Sequence, residues 1–496
     1  MKTEYLEFKF LLLILIAITF LTINTNAQTD NEVFCATEEP VKINIQDLDC
    51  NPDPAGLIQN YWDIETYKPA VVGELFHTTP IKTIEVNFNI FQKSNGTGNY
   101  ENTEEDKQRL IQMLGWVNDR FAHYAPTDDV PGVDVNELLD NDSRIRFSLG
   151  EPGQERIYYY PDDDLYCAVF WDEQKIGIET IDPERLNQLN ICFTGGYYSG
   201  KVKTENVHIT NHGTGYNSQT EVIFSDGLAT ATGTCTVTNG QIDEITVTFS
   251  GSYYGCAPEI SFVNGGGTGA EAYCTLTGGY SGKNFPSPSE NLNKDVAVSN
   301  FKNDGNIGGD ASRAENTAHE LAHTLDLHHV TSGGSCNEPE EFDDYLWDVF
   351  GLPYPGNCPH HSDCGEADDS PSDGCTNNIM GNKGSQYVSP RQAGIMHRTL
   401  ALLSTRKYVR DDAYIATEPI VVTNNETWDF NIKLYRDIIV EAGAELTINC
   451  KVVMPWKGRI IVKPSAKLII DGGTITTDAE GYLWKGIEVR GNINQH

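Results

Sequence analysis

The chain has 496 residues, with 71 acidic side chains against 35 basic ones, a formal net charge of −36 and an isoelectric point near 4.5. That length suffices for about three domains, each burying its own core. The acidity argues against nucleic acid and anionic membrane surfaces as partners, because both require a positive field.

The N-terminus opens with Lys2 and an apolar stretch from Phe8 to Leu21, broken only by Lys9 and Thr19 and ending at Thr25-Asn26-Ala27. Residues 1–27 read as a secretory signal peptide cut near Ala27. The apolar core is shorter than the ~20 residues that span a bilayer, so a secreted or cell-surface location without membrane insertion is expected. Cys35 follows Val33-Phe34 instead of small residues, which argues against a lipid anchor. Twelve cysteines in an exported chain favour disulfides over a thiolate metal site. Cys336, Cys358, Cys364 and Cys375 share one Gly/Pro/Asn-rich stretch, where local bridges would brace a long loop.

Residues 28–80 are polar with few periodic signals and suit an N-terminal lead or pro-segment. From Lys82 to Phe91 apolar and polar residues alternate as in a half-buried strand. Glu104 to His123 reads as an amphipathic helix, with Leu110, Ile111, Leu114, Val117 and Phe121 at helical spacing. Strand patterns return over 144–149, 156–160 and 189–193, an order that implies an α/β sheet with a helix packed on it. The acidic clusters Asp162-Asp163-Asp164 and Asp368-Asp369 offer oxygen ligands of the kind calcium takes, although solvated loop is the plainer reading and no EF-hand spacing is present.

Residues 195–282 read as an insertion, because Thr194-Gly-Gly-Tyr-Tyr-Ser-Gly-Lys201 is echoed by Thr277-Gly-Gly-Tyr-Ser-Gly-Lys283. Inside it Glu221-Val-Ile-Phe224 and Cys235-Thr-Val237 recur as Glu259-Ile-Ser-Phe262 and Cys274-Thr-Leu276, which indicates a two-repeat β module. It resembles glycine-rich repeats of phage tail and bacterial surface proteins; a binding appendage and a tolerated insertion are both open. After it, 295–300 reads as a strand, Ala311 to Leu327 as a helix, and Ser389-Pro390 as the start of a helix through Leu403. Residues 410–496 shift to short strands. There Val440-Glu-Ala-Gly-Ala-Glu-Leu and Val462-Lys-Pro-Ser-Ala-Lys-Leu repeat one turn, which suggests rungs of a β-solenoid, expected to be truncated because no cap follows.

The segment that carries chemistry is His319-Glu-Leu-Ala-His-Thr-Leu-Asp-Leu-His-His329. Residues four apart share one helix face, so His319 and His323 can reach one ion with Glu320 beside it. His329 stands at the distance of a third imidazole once the chain has turned back, and the spacing favours it over His328. Three neutral histidines leave a fourth tetrahedral position open, as a catalytic zinc requires. Downstream, Cys375-Thr-Asn-Asn-Ile-Met380-Gly is similar to a Met-turn.

With these motifs, and with Tyr387-Val-Ser-Pro-Arg-Gln-Ala-Gly-Ile-Met-His397, the regions 81–194 and 283–409 resemble a metzincin zinc metallopeptidase of the pappalysin-like kind. The resemblance implies a mixed twisted sheet with helices, one catalytic Zn2+ on His319, His323 and His329, Met380 beneath it, and Glu320 as general base toward a zinc-activated water in the hydrolysis of protein or peptide substrates. The chain departs from the family at Asp326, where the family places a glycine in a left-handed turn; Asp tolerates that conformation better than most residues, so the turn is expected to survive. The family tyrosine after the Met-turn has no counterpart at Gly381-Asn382, and Tyr387 is only a weak substitute. In some members of the family an N-terminal thiolate occupies the fourth zinc position, which makes Cys35 and Cys50 latency candidates, with a Cys35–Cys50 disulfide as the plainer reading. The competing function is a surface adhesin or glycan-binding protein with a vestigial peptidase domain, in which the insertion and the C-terminal segment bind a surface ligand. Glu320 speaks against it, because a structural zinc needs no general base.

Overall fold

The computed structural model describes residues 48, 50, 52–53, 55–69, 79–122, 142–167, 185, 187–194, 200–225, 230–251, 254–277, 282–284, 296–299, 310–329, 346–350, 378–381, 387–478 and 483–491. The signal segment, Cys35, Asp368-Asp369 and the loop cysteines Cys336, Cys358, Cys364 and Cys375 lie outside them. Among the described residues no helix is long and apolar enough to cross a membrane.

A short helix α1 (Ile58–Trp62) precedes the first strand, β1 (Lys82–Gln92). Helix α2 (Glu104–Ala122) follows, with Glu104, Glu105 and Asp106 in the first turn, where negative charge meets the helix dipole. It buries Leu110, Met113, Leu114, Val117 and Phe121, spaced to form one stripe. Strands β2 (Ile145–Ser148) and β3 (Ile157–Pro161) pair in parallel with successive halves of β1 on one side, and β4 (Leu189–Thr194) pairs in parallel on the other. The second half of β1 is buried on both faces, where alternation predicted one wet face. The polar residues responsible, Asn87 and Asn89, are held inside because each donates to the side-chain oxygen of Asn190 at 3.0 Å.

Between β3 and β4, helix α3 (Asp163–Tyr166) consumes the acidic cluster: Asp162 accepts from the amides of Asp164 and Leu165, and Asp163 accepts from the amide of Ser94 at 3.0 Å.

The insertion holds β5 (Lys201–Thr214), β6 (Glu221–Phe224), β7 (Thr232–Thr238), β8 (Gln241–Phe249), β9 (Ile260–Val263) and β10 (Thr268–Thr277). The first strand of each repeat pairs antiparallel with the third strand of the other, β5 with β10 and β8 with β7, while β6 pairs with β9. The two halves are therefore related by a pseudo-twofold. Equivalent tyrosines show it in detail: Tyr216 accepts from the amide of Ala270 and Tyr254 from that of Ala231. Cys235 and Cys274 are thiols, each aimed at a carbonyl oxygen, of Thr220 and Pro258, and not disulfide partners. A disulfide joins Cys167, after α3, to Cys256 in this module.

The chain returns through β11 (Gly282–Asn284) and β12 (Val296–Ser299) to give a six-stranded sheet in the order β11-β12-β4-β1-β2, with β3 also on β1 and only β11 antiparallel. Helix α4 (Asp310–Thr324) packs against α2 and β12. Short α5 (Trp347–Phe350) and α6 (Pro390–Leu402) complete this body. Helix α6 begins with a full capping box between Ser389 and Gln392 and Pro390 in its first turn.

From Ile415 the chain coils with three sides. The sides are β13 (Ile415–Val422), β14 (Glu426–Trp428), β15 (Ile432–Lys433), β16 (Arg436–Val440), β17 (Glu445–Ile448), β18 (Lys451–Val453), β19 (Ile460–Val462), β20 (Lys467–Ile470), β21 (Thr474–Thr476) and β22 (Ile487–Val489), stacked in three parallel sheets β13-β16-β19-β22, β14-β17-β20 and β15-β18-β21. The repeated turn recurs in space: Gly443 and Ser465 both take positive φ, Ala444 and Ala466 close the same backbone bond, and Lys463 and Lys467 reach Glu441 and Glu445 on the rung before.

The described part of the lead is docked on the rest of the chain. Ile58 and Trp62 share a core with the end of α6 and with Trp428 and Phe430 of the coil. Cys50 is disulfide-bonded to Cys450. This replaces the expected Cys35–Cys50 bridge and removes Cys50 as a latency thiolate, since its sulfur is already bonded.

Candidate metal centre

Helix α4 starts at an ion network. Asp310 accepts from Arg109 Nε and Nη2, each at 2.9 Å, from the Tyr100 hydroxyl at 3.0 Å and from Arg313 Nη1 at 3.0 Å. Burial opposes ionisation of Asp310, yet the hydrogen bonds from Arg109 and Tyr100 and the charges of Arg109 and Arg313 hold its carboxyl below the usual range. The helix origin is thus fixed to α2 and to the loop after β1.

Along α4 the buried face carries Ala314, Ala318, Leu321, Ala322 and Leu325 into the main core. His319, Glu320 and His323 are 1, 1 and 2 % exposed. The helix ends in a Schellman turn: Leu327 N donates to Ala322 O at 3.1 Å and Asp326 N to His323 O at 2.9 Å. Asp326 takes φ of 71°, the left-handed position expected there. Its carboxylate faces Arg398 of α6 at 3.5 Å, a partner that glycine would lack. The turn folds the chain back so that His329, and not His328, joins the other two histidines.

His329 Nε2 lies 3.1 Å from Nε2 of both His319 and His323. The far nitrogens are anchored: His319 Nδ1 donates to Ile379 O and His323 Nδ1 to Leu327 O, both at 2.7 Å. A carbonyl oxygen only accepts, so each Nδ1 carries the proton and each Nε2 of the neutral ring presents a lone pair inward. Lone pairs converging at this range could hold a cation between them. Zn–N bonds of 2.0–2.1 Å in tetrahedral geometry place ligand nitrogens about 3.3 Å apart, close to the spacing found. Among the described residues this is the one group of at least three metal-capable side chains gathered closely enough to hold an ion.

Ile379, whose carbonyl orients His319, belongs to a tight turn. Gly381 N donates to Asn378 O at 2.8 Å, Met380 N to Asn378 Oδ1 at 3.0 Å, and Ile379 N to Tyr387 O at 2.7 Å. Met380 is fully buried in the main core. Tyr387 is buried too, with its backbone bridged to Asn378, so it serves the turn's scaffold.

Sequence reasoning missed the residues that bolt this turn in place. The amides of Asn378 and Gln392 exchange two hydrogen bonds, at 2.7 and 2.8 Å. Gln392 belongs to the α6 capping box, whose Ser389 donates to Asp348 at 3.0 Å, while Arg391 N donates to the other Asp348 oxygen at 2.8 Å. Burial pushes the Asp348 carboxyl up to about 6, against the opposing pull of those two hydrogen bonds and of the Arg391 charge. The Ser-x-x-Gln spacing at 389–392 was a readable local signal; Asp348, on a separate helix, had none.

No protein-family model matches the chain, and no curated protein matches it either.

Proposed function

We propose that the chain is a secreted zinc-dependent endopeptidase of the metzincin type, acting on protein or peptide substrates. The observation that carries this reading is the convergence of three imidazole Nε2 atoms, with the opposite nitrogens of His319 and His323 tied to backbone carbonyls and Glu320 next to His319 in the chain. His319, His323 and His329 would hold the ion, which when bound supplies a Lewis acid for the scissile carbonyl and lowers the pKa of water.

The chain's own residues do the rest. Glu320, next to His319 on a rigid buried helix, accepts the proton of the attacking water and returns it to the leaving amine. A carboxylate within one residue of a metal ligand serves a structural site poorly, and this favours an enzyme over a vestigial domain. Carbonyls of Ile379 and Leu327 hold the two helix imidazoles in the tautomer that ligates. Two disulfides, Cys50–Cys450 and Cys167–Cys256, suit an oxidising, extracellular compartment.

The test is zinc content and casein hydrolysis for wild type and Glu320→Ala side by side. About one zinc per chain in both, with hydrolysis lost by roughly a hundredfold or more in the variant, is expected. Absence of zinc from purified wild type would overturn the site; hydrolysis that survives the substitution would overturn the role of Glu320.

A further inference from the structure

Where β1, the end of α6 and the first rungs of the coil meet, there is a partly enclosed cavity of about 120 Å³. Lys82, Lys433, Arg436, His397 and Tyr67 line it, and among the described residues no carboxylate does. In a chain of net charge −36 this concentration of basic groups is anomalous. Lys433 is compensated in part by Asp411 and Asp478, at 3.8 and 3.9 Å. Lys82 is almost wholly buried, with its ammonium on the His397 carbonyl at 3.3 Å and 4.1 Å from the centre of the Tyr435 ring. Burial and the nearby charges of Arg436 and Lys433 drive its pKa well below the usual lysine value.

Two buried polar atoms at this cavity have no hydrogen-bond partner, the Tyr67 hydroxyl and His397 Nδ1. His397 is 1 % exposed, and its Nε2 donates to Ser143 O at 2.6 Å. Burial, then the charge of Lys82, favours the neutral ring, which leaves Nδ1 a bare acceptor. The cavity therefore offers a positive field, a hydroxyl donor and one acceptor, in space for several water-sized groups. A fully deprotonated anion would meet the Nδ1 lone pair unfavourably, whereas an oxyanion that keeps one O–H satisfies it.

We propose that this cavity binds a protonated tetrahedral oxyanion of the phosphate class, with Lys82 and Arg436 supplying charge, Tyr67 donating and His397 Nδ1 accepting. Free phosphate keeps such an O–H at neutral pH, and a phosphate monoester, whose second pKa is about 6, keeps one in mildly acid solution. The ligand would bridge the catalytic body and the coil.

The test is calorimetric titration of the full-length protein with inorganic phosphate, sulfate and phenyl phosphate. Saturable phosphate binding is expected, with sulfate at least about tenfold weaker because it carries no proton for Nδ1 at neutral pH. At about pH 5.5, where both carry an O–H, phenyl phosphate binding as well as phosphate identifies the monoester source; exclusion of it there identifies the free ion. Lys82→Met and Tyr67→Phe should each weaken phosphate about tenfold or more. Tyr67→Phe removes one oxygen and keeps the test valid if the lysine variant does not fold. Absence of saturable phosphate binding, sulfate bound equally well, or unchanged affinity in Tyr67→Phe would each overturn the proposal.

Discussion

Replacing Asp326 by glycine should destabilise the protein, although glycine is the residue a left-handed turn ordinarily prefers. At φ of 71° a non-glycine residue carries strain of roughly 1 kcal/mol, which Gly relieves. Against this, the Asp326–Arg398 pair is lost, with side chains only 11 and 4 % exposed. Removing one partner of a buried pair costs about 3 to 5 kcal/mol. The 3.5 Å separation here, and the bond of Arg398 to Trp62 O at 3.2 Å and its stacking over the Trp62 ring, reduce that to roughly 2 kcal/mol. Asp326→Gly should thus lose about 1 kcal/mol, and Asp326→Ala, which keeps the strain and loses the pair, about 2. Urea unfolding of the zinc-loaded proteins, followed by near-UV circular dichroism, reads both; zinc affinity should fall in parallel, since this turn delivers His329. A glycine variant as stable as wild type, or more so, would refute the ion pair's role.

Asn378→Ala, which unbolts the turn whose Ile379 carbonyl orients His319, should weaken zinc about tenfold or more by competition with a chelator, with far-UV dichroism unchanged. Asp348 has its folded pKa raised from 3.8 to about 6, so its stabilising contribution is complete below pH 4 and is lost as pH rises through 6. Relative to Asp348→Asn, wild type should therefore lose stability, by up to about 3 kcal/mol, between those pH values; parallel curves would exclude this assignment. The Cys50→Ser, Cys450→Ser double variant opens a loop with a sequence separation of 400 and should lose up to about 5 kcal/mol, read as earlier protease cleavage at the junction of lead and coil.

The elements that announce themselves in sequence are those whose spacing is local. Helix α2 shows its stripe, α6 its Ser389-Pro390 start, the insertion its internal repeat, and the coil its recurring turn, because each pattern is set by neighbours a few residues away or by repetition. The histidine cluster was legible for the same reason: His319 and His323 are one helical turn apart, and His329 follows a turn of fixed length. Even the Asp326 departure was readable as a residue tolerant of positive φ.

What sequence could not convey was who meets whom across long separations. Alternation in β1 promised a wet face, and only the packed sheet shows Asn87 and Asn89 buried against Asn190. Twelve cysteines announced disulfides, but the partner of Cys50 is decided by the lead docking on the coil. Asp348, Asn378 and Arg398 carry no motif of their own; they matter because tertiary contact brings a capping box, a tight turn and a helix terminus together around the histidines. Local periodicity and motif spacing thus determined the elements and the clustered histidines by themselves, whereas the buried amides, the disulfide partners and the basic cavity were decided by tertiary structure, because burial and charge compensation depend on residues distant in the chain.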